Sequence, residues 1–151
     1  MKNVIFVILF SILLSVLLFT QSSEDAEKES VKEVVQKAFD AYYNDGDIEL
    51  IKKYFHPGFN LLTMTRDNSL RYYFRYNIID RVKQLKDIGR YPPKKRISIK
   101  FLSIDVVGNI ASVKQDFYRG ERHTCTDFLS LYKFKEGWRI VSWTTYYHLG
   151  K

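Results

Sequence analysis

Three histidines, one cysteine and seventeen scattered carboxylates are the side chains that could do acid–base, nucleophilic or metal chemistry in this chain. His56, His123 and His148 show no ligand spacing, such as two histidines four residues apart on a helix, so spacing points to no metal site and to no cofactor. Cys125 is the only thiol, which excludes an internal disulfide framework and a cysteine-rich metal centre. If the hairpin turns at Gly120-Glu121 and Glu136-Gly137 hold two residues each, Cys125 falls opposite Asp116 and His148, and Asp127 falls opposite Lys114 and Tyr146. The first trio could be a nucleophile pair with a carboxylate beside it. Its commoner origin is a salt bridge or a hydrogen-bonded interface. With no glycine-rich phosphate loop and no nucleophile elbow, no residue is assigned a catalytic role.

The basic side chains offer a rival. Lys and Arg outnumber Asp and Glu by 24 to 17, a net +7, and Arg66, Arg71, Arg75, Arg81, Lys83, Lys86 and Arg90 collect before Lys94-Lys95-Arg96, with Tyr72, Tyr73 and Tyr76 interleaved. Arginine among tyrosines suits single-stranded nucleic acid, but no recognition motif accompanies it, so nucleic acid is disfavoured. A solvated helix face is the ordinary reading, followed by contact with an anionic membrane surface.

These residues need elements to position them. Lys2 precedes an apolar run from Val4 to Phe19, and small polar residues follow at Thr20 and Ser22. That pattern reads as a secretory signal over residues 1–22. The sixteen-residue run would span about 24 Å as a helix, short of the roughly 30 Å of a hydrocarbon core, so an uncleaved anchor is the second choice. The expected location is therefore exported, periplasmic or secreted. Residues 23–29 read as a linker or frayed helix start, and residues 30–148 as one domain. Ser30 and Glu33 stand as a capping box, after which Val31, Val34, Val35, Ala38, Phe39 and Tyr42 form a helical stripe. Gly46 ends that helix, and Asp47 caps a second over Ile48–Phe55. Phe59–Met64 reads as a strand, Arg66–Ser69 as a turn and Tyr72–Ile88 as a third helix stopped by Tyr91-Pro92-Pro93. From Lys95 the period falls to two, giving strands Arg96–Val107, Asn109–Arg119, Arg122–Phe134 and Trp138–His148. The fold class is α+β: three N-terminal helices packed on a curved, mainly antiparallel sheet.

Several segments carry a resemblance: Asn44-Asp45-Gly46-Asp47, Tyr54-Phe55-His56-Pro57-Gly58-Phe59, Asn109-Ile110-Ala111-Ser112-Val113, Thr126-Asp127-Phe128-Leu129-Ser130-Leu131 and Gly137-Trp138-Arg139-Ile140-Val141. In this order the chain resembles the nuclear transport factor 2-like superfamily (a cystatin-like cone of bent sheet), closest to its lumazine-binding branch. The resemblance implies a cavity and commonly a homodimer. It does not choose among isomerases, cyclases, dehydratases and ligand binders. By similarity to the ketosteroid isomerases, the catalytic base would fall at Thr63, the phenol donor at Phe39 and the protonated acid at Ser130. None of those side chains can do the work.

Two-residue turns place Phe117, Thr126, Phe128, Ser130, Tyr132, Val141, Trp143, Thr145 and Tyr147 on the face that the resemblance turns inward. Lys114, Asp116, Cys125, Asp127, Leu129, Leu131, Ile140, Ser142, Tyr146 and His148 fall on a half-apolar face open to dimerisation. The expected function is non-catalytic: binding a small hydrophobic or heteroaromatic molecule, or a protein partner, with Phe128, Ser130, Trp143, Thr145 and Tyr147 as the ligand contacts. An enzyme of the cyclase, isomerase or dehydratase kind is the alternative. An envelope-associated interaction module using the basic helix is a further one.

Overall fold

The computed structural model describes residues 24–65 and 67–148. The expected signal segment, residues 1–22, lies outside the described residues, and so does Arg66. Among the described residues no helix is long and apolar enough to cross a membrane.

Residues 24–40 are helical and form α1, so Ser30 sits within the helix rather than at a cap. The first described turns are held partly from outside the helix, where Glu27 accepts a hydrogen bond from Trp138 Nε1 at 2.9 Å and one from Lys133. Within the helix, Lys28 pairs with Glu24 at 2.7 Å. Val31, Val35, Ala38 and Phe39 are buried at helical spacing, as the stripe requires. The helix then widens into one π-turn, Ala41–Asp45, closed by Gly46 at φ 64°. Only glycine serves there, because a Cβ would also stand 3.0 Å from the Tyr91 ring. Asn44, fully buried, donates to the Ile97 carbonyl and accepts from the Ile97 N–H, both at 2.9 Å. Asp47 caps α2 (Ile48–Tyr54) by accepting from the Glu49 and Leu50 N–H groups at 3.0 Å.

Strand β1 (Phe55–Met64) begins four residues earlier than its sequence suggests. A second strand, β2 (Leu70–Phe74), occupies what reads as the start of the third helix. Its Leu-Arg-Tyr-Tyr-Phe run is rich in aromatics and pairs antiparallel with Asn60–Met64 across a turn at Asn68. Helix α3 is therefore confined to Arg75–Asp87, with Ile78 and Val82 buried. Several basic residues turn out to be fasteners. Arg75 donates to the Phe55 carbonyl, Lys86 to the Gly46 carbonyl, and Arg96 pairs with Asp40 and Asp45.

The meander β3 (Ile97–Val107), β4 (Ile110–Arg119), β5 (Arg122–Phe134) and β6 (Gly137–Tyr147) follows. The six strands form one sheet in the order β2-β1-β6-β5-β4-β3, with β1 and β6 parallel and every other pair antiparallel. The α+β class holds. The register does not.

Arg119↔Arg122 and Tyr118↔His123 follow a two-residue turn, but the next pair is Phe117↔Cys125, which leaves Thr124 as an extra residue in β5. Val141 is extra in β6, between Leu131↔Ile140 and Ser130↔Ser142. A bulge of one residue sends every later side chain to the opposite face. Cys125, Asp127, Leu129 and Leu131 consequently point into the core, with Gln115, Phe117, Ile140 and Trp143. Phe128, Ser130 and Tyr132 point outward and are exposed. The half-apolar dimer face built on Leu129, Leu131 and Ile140 does not exist, because all three are core.

Candidate functional site

The pairing lays one polar row across the concave face. Thr63 on β1 pairs with Thr145 on β6, Thr145 with Asp127 on β5, and Asp127 with Gln115 on β4. The next row holds Leu61, Trp143, Leu129 and Val113. Helix α1 and its π-turn cover these rows with rings. Tyr43 packs 4.9 Å from Phe39, 5.0 Å from Phe117 and 6.2 Å from Trp143, while Phe55 stacks on Trp143 at 6.2 Å. The rings fill the cone. Two shallow, open depressions both lie outside it: about 280 Å³ between α1 and Phe101, and about 410 Å³ on the outer face at Lys114, Phe128 and Ser130.

Within this apolar packing the polar row is under-satisfied. Thr145 Oγ1 donates to Asp127 Oδ1 at 2.7 Å, and Cys125 Sγ approaches the same oxygen at 3.9 Å. Asp127 Oδ2, both amide atoms of Gln115, Trp143 Nε1 and Thr63 Oγ1 are buried without a hydrogen-bond partner. Buried polar groups are rarely left so, since each costs about 1–3 kcal/mol. Five such atoms lie on two adjacent rows of one face, and Trp143 and Gln115 come close enough to Asp127 to favour its charged form without being aligned on it.

The electrostatics agree. Burial raises the Asp127 carboxyl above the ordinary range, although Trp143, Thr145, Gln115 and Cys125 lean on it from the sides and pull it partly back. Burial, and then the Asp127 charge, push the Cys125 thiol up to about 12, so it stays a neutral thiol. Tyr43 is raised well above its usual range by burial, with Tyr42 and Asp127 adding to it. Tyr42, raised to about 12, and Tyr147 also titrate high, and Tyr73 lies near enough to contribute to both. Tyr42, Tyr43, Tyr73 and Tyr147 thus gather around one end of the polar row, and Tyr147 is half exposed. Tyr42, Tyr43 and Tyr147 are therefore neutral hydrogen-bond donors at neutral pH.

Of the five expected ligand contacts, Trp143, Thr145 and Tyr147 share the concave face, with Thr145 bonded to Asp127. Phe128, 49 % exposed, and Ser130 stand on the outer face and line the outer depression instead. The Cys125–His148 pair is excluded, because Cys125 opposes Phe117 and Tyr147 on the inside while His148 lies outside. Asp127 does not face Lys114; Lys114 sits over the exposed Phe128 ring at 5.4 Å. Ser130 and Phe39 supply no acid or phenol, yet Asp127 and Tyr43 lie three and four residues away and do reach the interior. Alternation in β5 would have found Asp127, had anything marked Thr124 as a bulge.

The family model described as "Putative lumazine-binding" matches residues 26–147. Among solved structures, the chain is similar to an NTF2-like protein of unknown function from Shewanella baltica, at 23 % identity and TM-score 0.67, covering 83 % of this chain and 96 % of that one. It is also similar to one from Silicibacter pomeroyi, at 18 % identity and TM-score 0.68, covering 84 % and 98 %. A third is described as a putative dehydratase of the NTF2-like family from Streptomyces avermitilis, at 15 % identity and TM-score 0.58, covering 83 % and 99 %. No curated protein matches.

Proposed function

Because the chain belongs to the family described as putative lumazine-binding, within the NTF2-like superfamily, we propose that it binds a small, partly apolar heteroaromatic molecule on the concave face and does not transform it. The observation that carries this reading is the set of unpartnered buried atoms on Thr63, Gln115, Asp127 and Trp143. A flat ring with adjacent carbonyl and N–H edges, as in a pteridine-dione, would meet all of them. The Gln115 amide offers one donor and one acceptor, the Trp143 indole a donor, and Asp127 Oδ2 an acceptor. The ring itself would replace contacts now made among Tyr43, Phe117 and Trp143. Entry would be at the tyrosine rim, where Tyr147 is half exposed. The row is an anchor without a proton-abstracting partner: Asp127 is the one carboxylate among the described residues on that face, and the isomerase base position is Thr63. A dehydratase-like or isomerase-like alternative is favoured only by the nearness of Asp127 to Tyr43.

Trp143 makes the test direct. Lumazine and related heteroaromatic diones should quench or shift its fluorescence and raise the melting temperature, and Gln115→Leu should weaken that response at least tenfold. No response from the wild-type chain to any such compound would remove the proposal. Turnover of the compound with loss on Asp127→Asn would favour the enzyme. Export of the mature chain belongs to the same proposal, and N-terminal sequencing that found Met1 on cytoplasmic protein would refute that part.

A further inference from the structure

The β5 bulge has a second product on the other side of the sheet. Asp116 on β4, His123 at the start of β5 and His148 just past β6 are 32 residues apart at the extremes, yet their ligand atoms all lie within 4.8 Å of one another. Thr124 creates this meeting. Before the bulge, His123 pairs with Tyr118 on the outer face; after it, Thr126 pairs with Asp116 and Tyr146 on that same face. His148 is drawn in by its N–H, which donates to the Thr124 carbonyl at 3.0 Å. Thr126 Oγ1 stands at the middle, 2.6 Å from Asp116 Oδ1 and 2.9 Å from His148 Nε2. The imidazoles are walled in by Tyr118, stacked 5.1 Å from His123, and by Tyr146, edge-on 5.1 Å from His148.

One contact is not that of an ordinary ion pair. His123 Nε2 lies 3.0 Å from Asp116 Oδ1 but is not aligned to donate to it, and it counts among the buried atoms without a hydrogen-bond partner. Two ligands of one tetrahedral zinc ion sit about 3.3 Å apart when each bond is about 2.0–2.1 Å. At 3.0 Å the His123–Asp116 separation suits an ion pair as well as two ligands of one ion, and it is the unaligned, unpartnered ring nitrogen that points to the second. His148, just beyond the strand end, would complete the set, since the three ligand atoms already lie within 4.8 Å of one another. We propose that Asp116, His123 and His148 form a binding site for a divalent first-row transition metal of the zinc class. Two neutral imidazoles and one carboxylate suit such an ion, and three protein ligands leave a coordination position open to water or an anionic group. Thr126 holds the carboxylate in place, as outer-shell partners of metal ligands do.

Untagged protein should be stripped with chelator and titrated with Co²⁺, whose visible spectrum reports coordination geometry, and then with Zn²⁺ in competition. One equivalent should bind with a tetrahedral or five-coordinate cobalt spectrum and be displaced by zinc. His123→Gln and His148→Gln should each weaken binding at least tenfold. Because both side chains are partly exposed, circular dichroism of each variant checks that the fold is retained. Asp116→Asn, which keeps the hydrogen bond to Thr126, should do the same and guards against misreading a disrupted strand. His56→Gln should change nothing. Binding unaffected by all three ligand substitutions, or no stoichiometric binding at all, would overturn the assignment.

Discussion

Thr126 and Asp127 are consecutive residues on one strand, and they serve opposite environments. Asp127 looks into a close-packed cone, where its oxygen accepts from Thr145 and where indole, amide and phenol groups surround it. Thr126 looks out to a rim of histidines and a carboxylate. The inner cluster is short of hydrogen-bond partners and raises the acid it contains; the outer one is rich in lone pairs and open to solvent. What divides them is the parity of β5, and a single unpaired residue, Thr124, sets that parity.

Deleting Thr124 is the most direct test of this division, because it takes out the extra residue and leaves Phe117 opposite Cys125 and Gln115 opposite Asp127. Asp127 should stay inside and Phe128, Ser130 and Tyr132 outside, while the contact of His148 N–H with the Thr124 carbonyl is lost. A cooperative melt at a much lowered midpoint is the expected result, and loss of the transition altogether would show that the bulge itself, and not the pairing beyond it, holds the faces apart. Next in size is the contrast between two rings one residue out of phase. Trp143→Ala empties the core and should cost about 3–5 kcal/mol in denaturant unfolding. Phe128→Ala, on the outer face, should stay within about 1 kcal/mol. Equal losses would mean that both rings are buried in solution.

A smaller effect sharpens the inner site. An acid whose folded pKa is raised binds its proton more tightly folded than unfolded, so its contribution is best below the unfolded pKa of about 3.9. Wild-type stability from Asp127 should therefore fall as pH rises from about 4 through the raised folded pKa, then level off. Asp127→Asn removes that slope and should gain on the wild type as the pH rises toward neutrality. Melting both proteins from pH 4 to 8 measures the difference. A wild type that instead gains stability relative to Asp127→Asn over that window would show the carboxylate to be paired and ionised. The mildest change, Ser130→Ala on the outer face, should leave the heteroaromatic response of the cone unaltered.

The layered architecture was legible because glycines at 108, 120 and 137 punctuate four strands of clear period two, and because Gly46 and Asp47 end one helix and begin the next. The site was legible only in β6. Trp143, Thr145 and Tyr147 keep their side, whereas β5 was read upside down because nothing local distinguishes Thr124 from any other strand residue. Bulges are settled by packing: turning Leu129 and Leu131 inward buries two large apolar side chains, which outweighs the pairing lost at one residue. Strand β2 was hidden for a related reason. Phe74, Ile78 and Val82 have helical spacing, and only the partner strand β1 shows that Leu70–Phe74 belongs to the sheet. The first described turns of α1 are tied through Glu27 to Trp138 and Lys133, more than a hundred residues away.

The strand order also dictates a timetable. The last strand, β6, lies in the middle of the sheet, between the β1–β2 hairpin and the β3–β5 meander. During synthesis the two halves can each form local hairpins, but they share no strand until residues 137–147 have emerged. Closing the β1–β6 seam joins segments some eighty residues apart, the kind of non-local pairing that is slow to form. A nascent chain halted before Gly137 therefore carries two open sheet edges and an uncovered Trp138 partner in Glu27, and it should be digested by protease at concentrations that leave the finished protein whole.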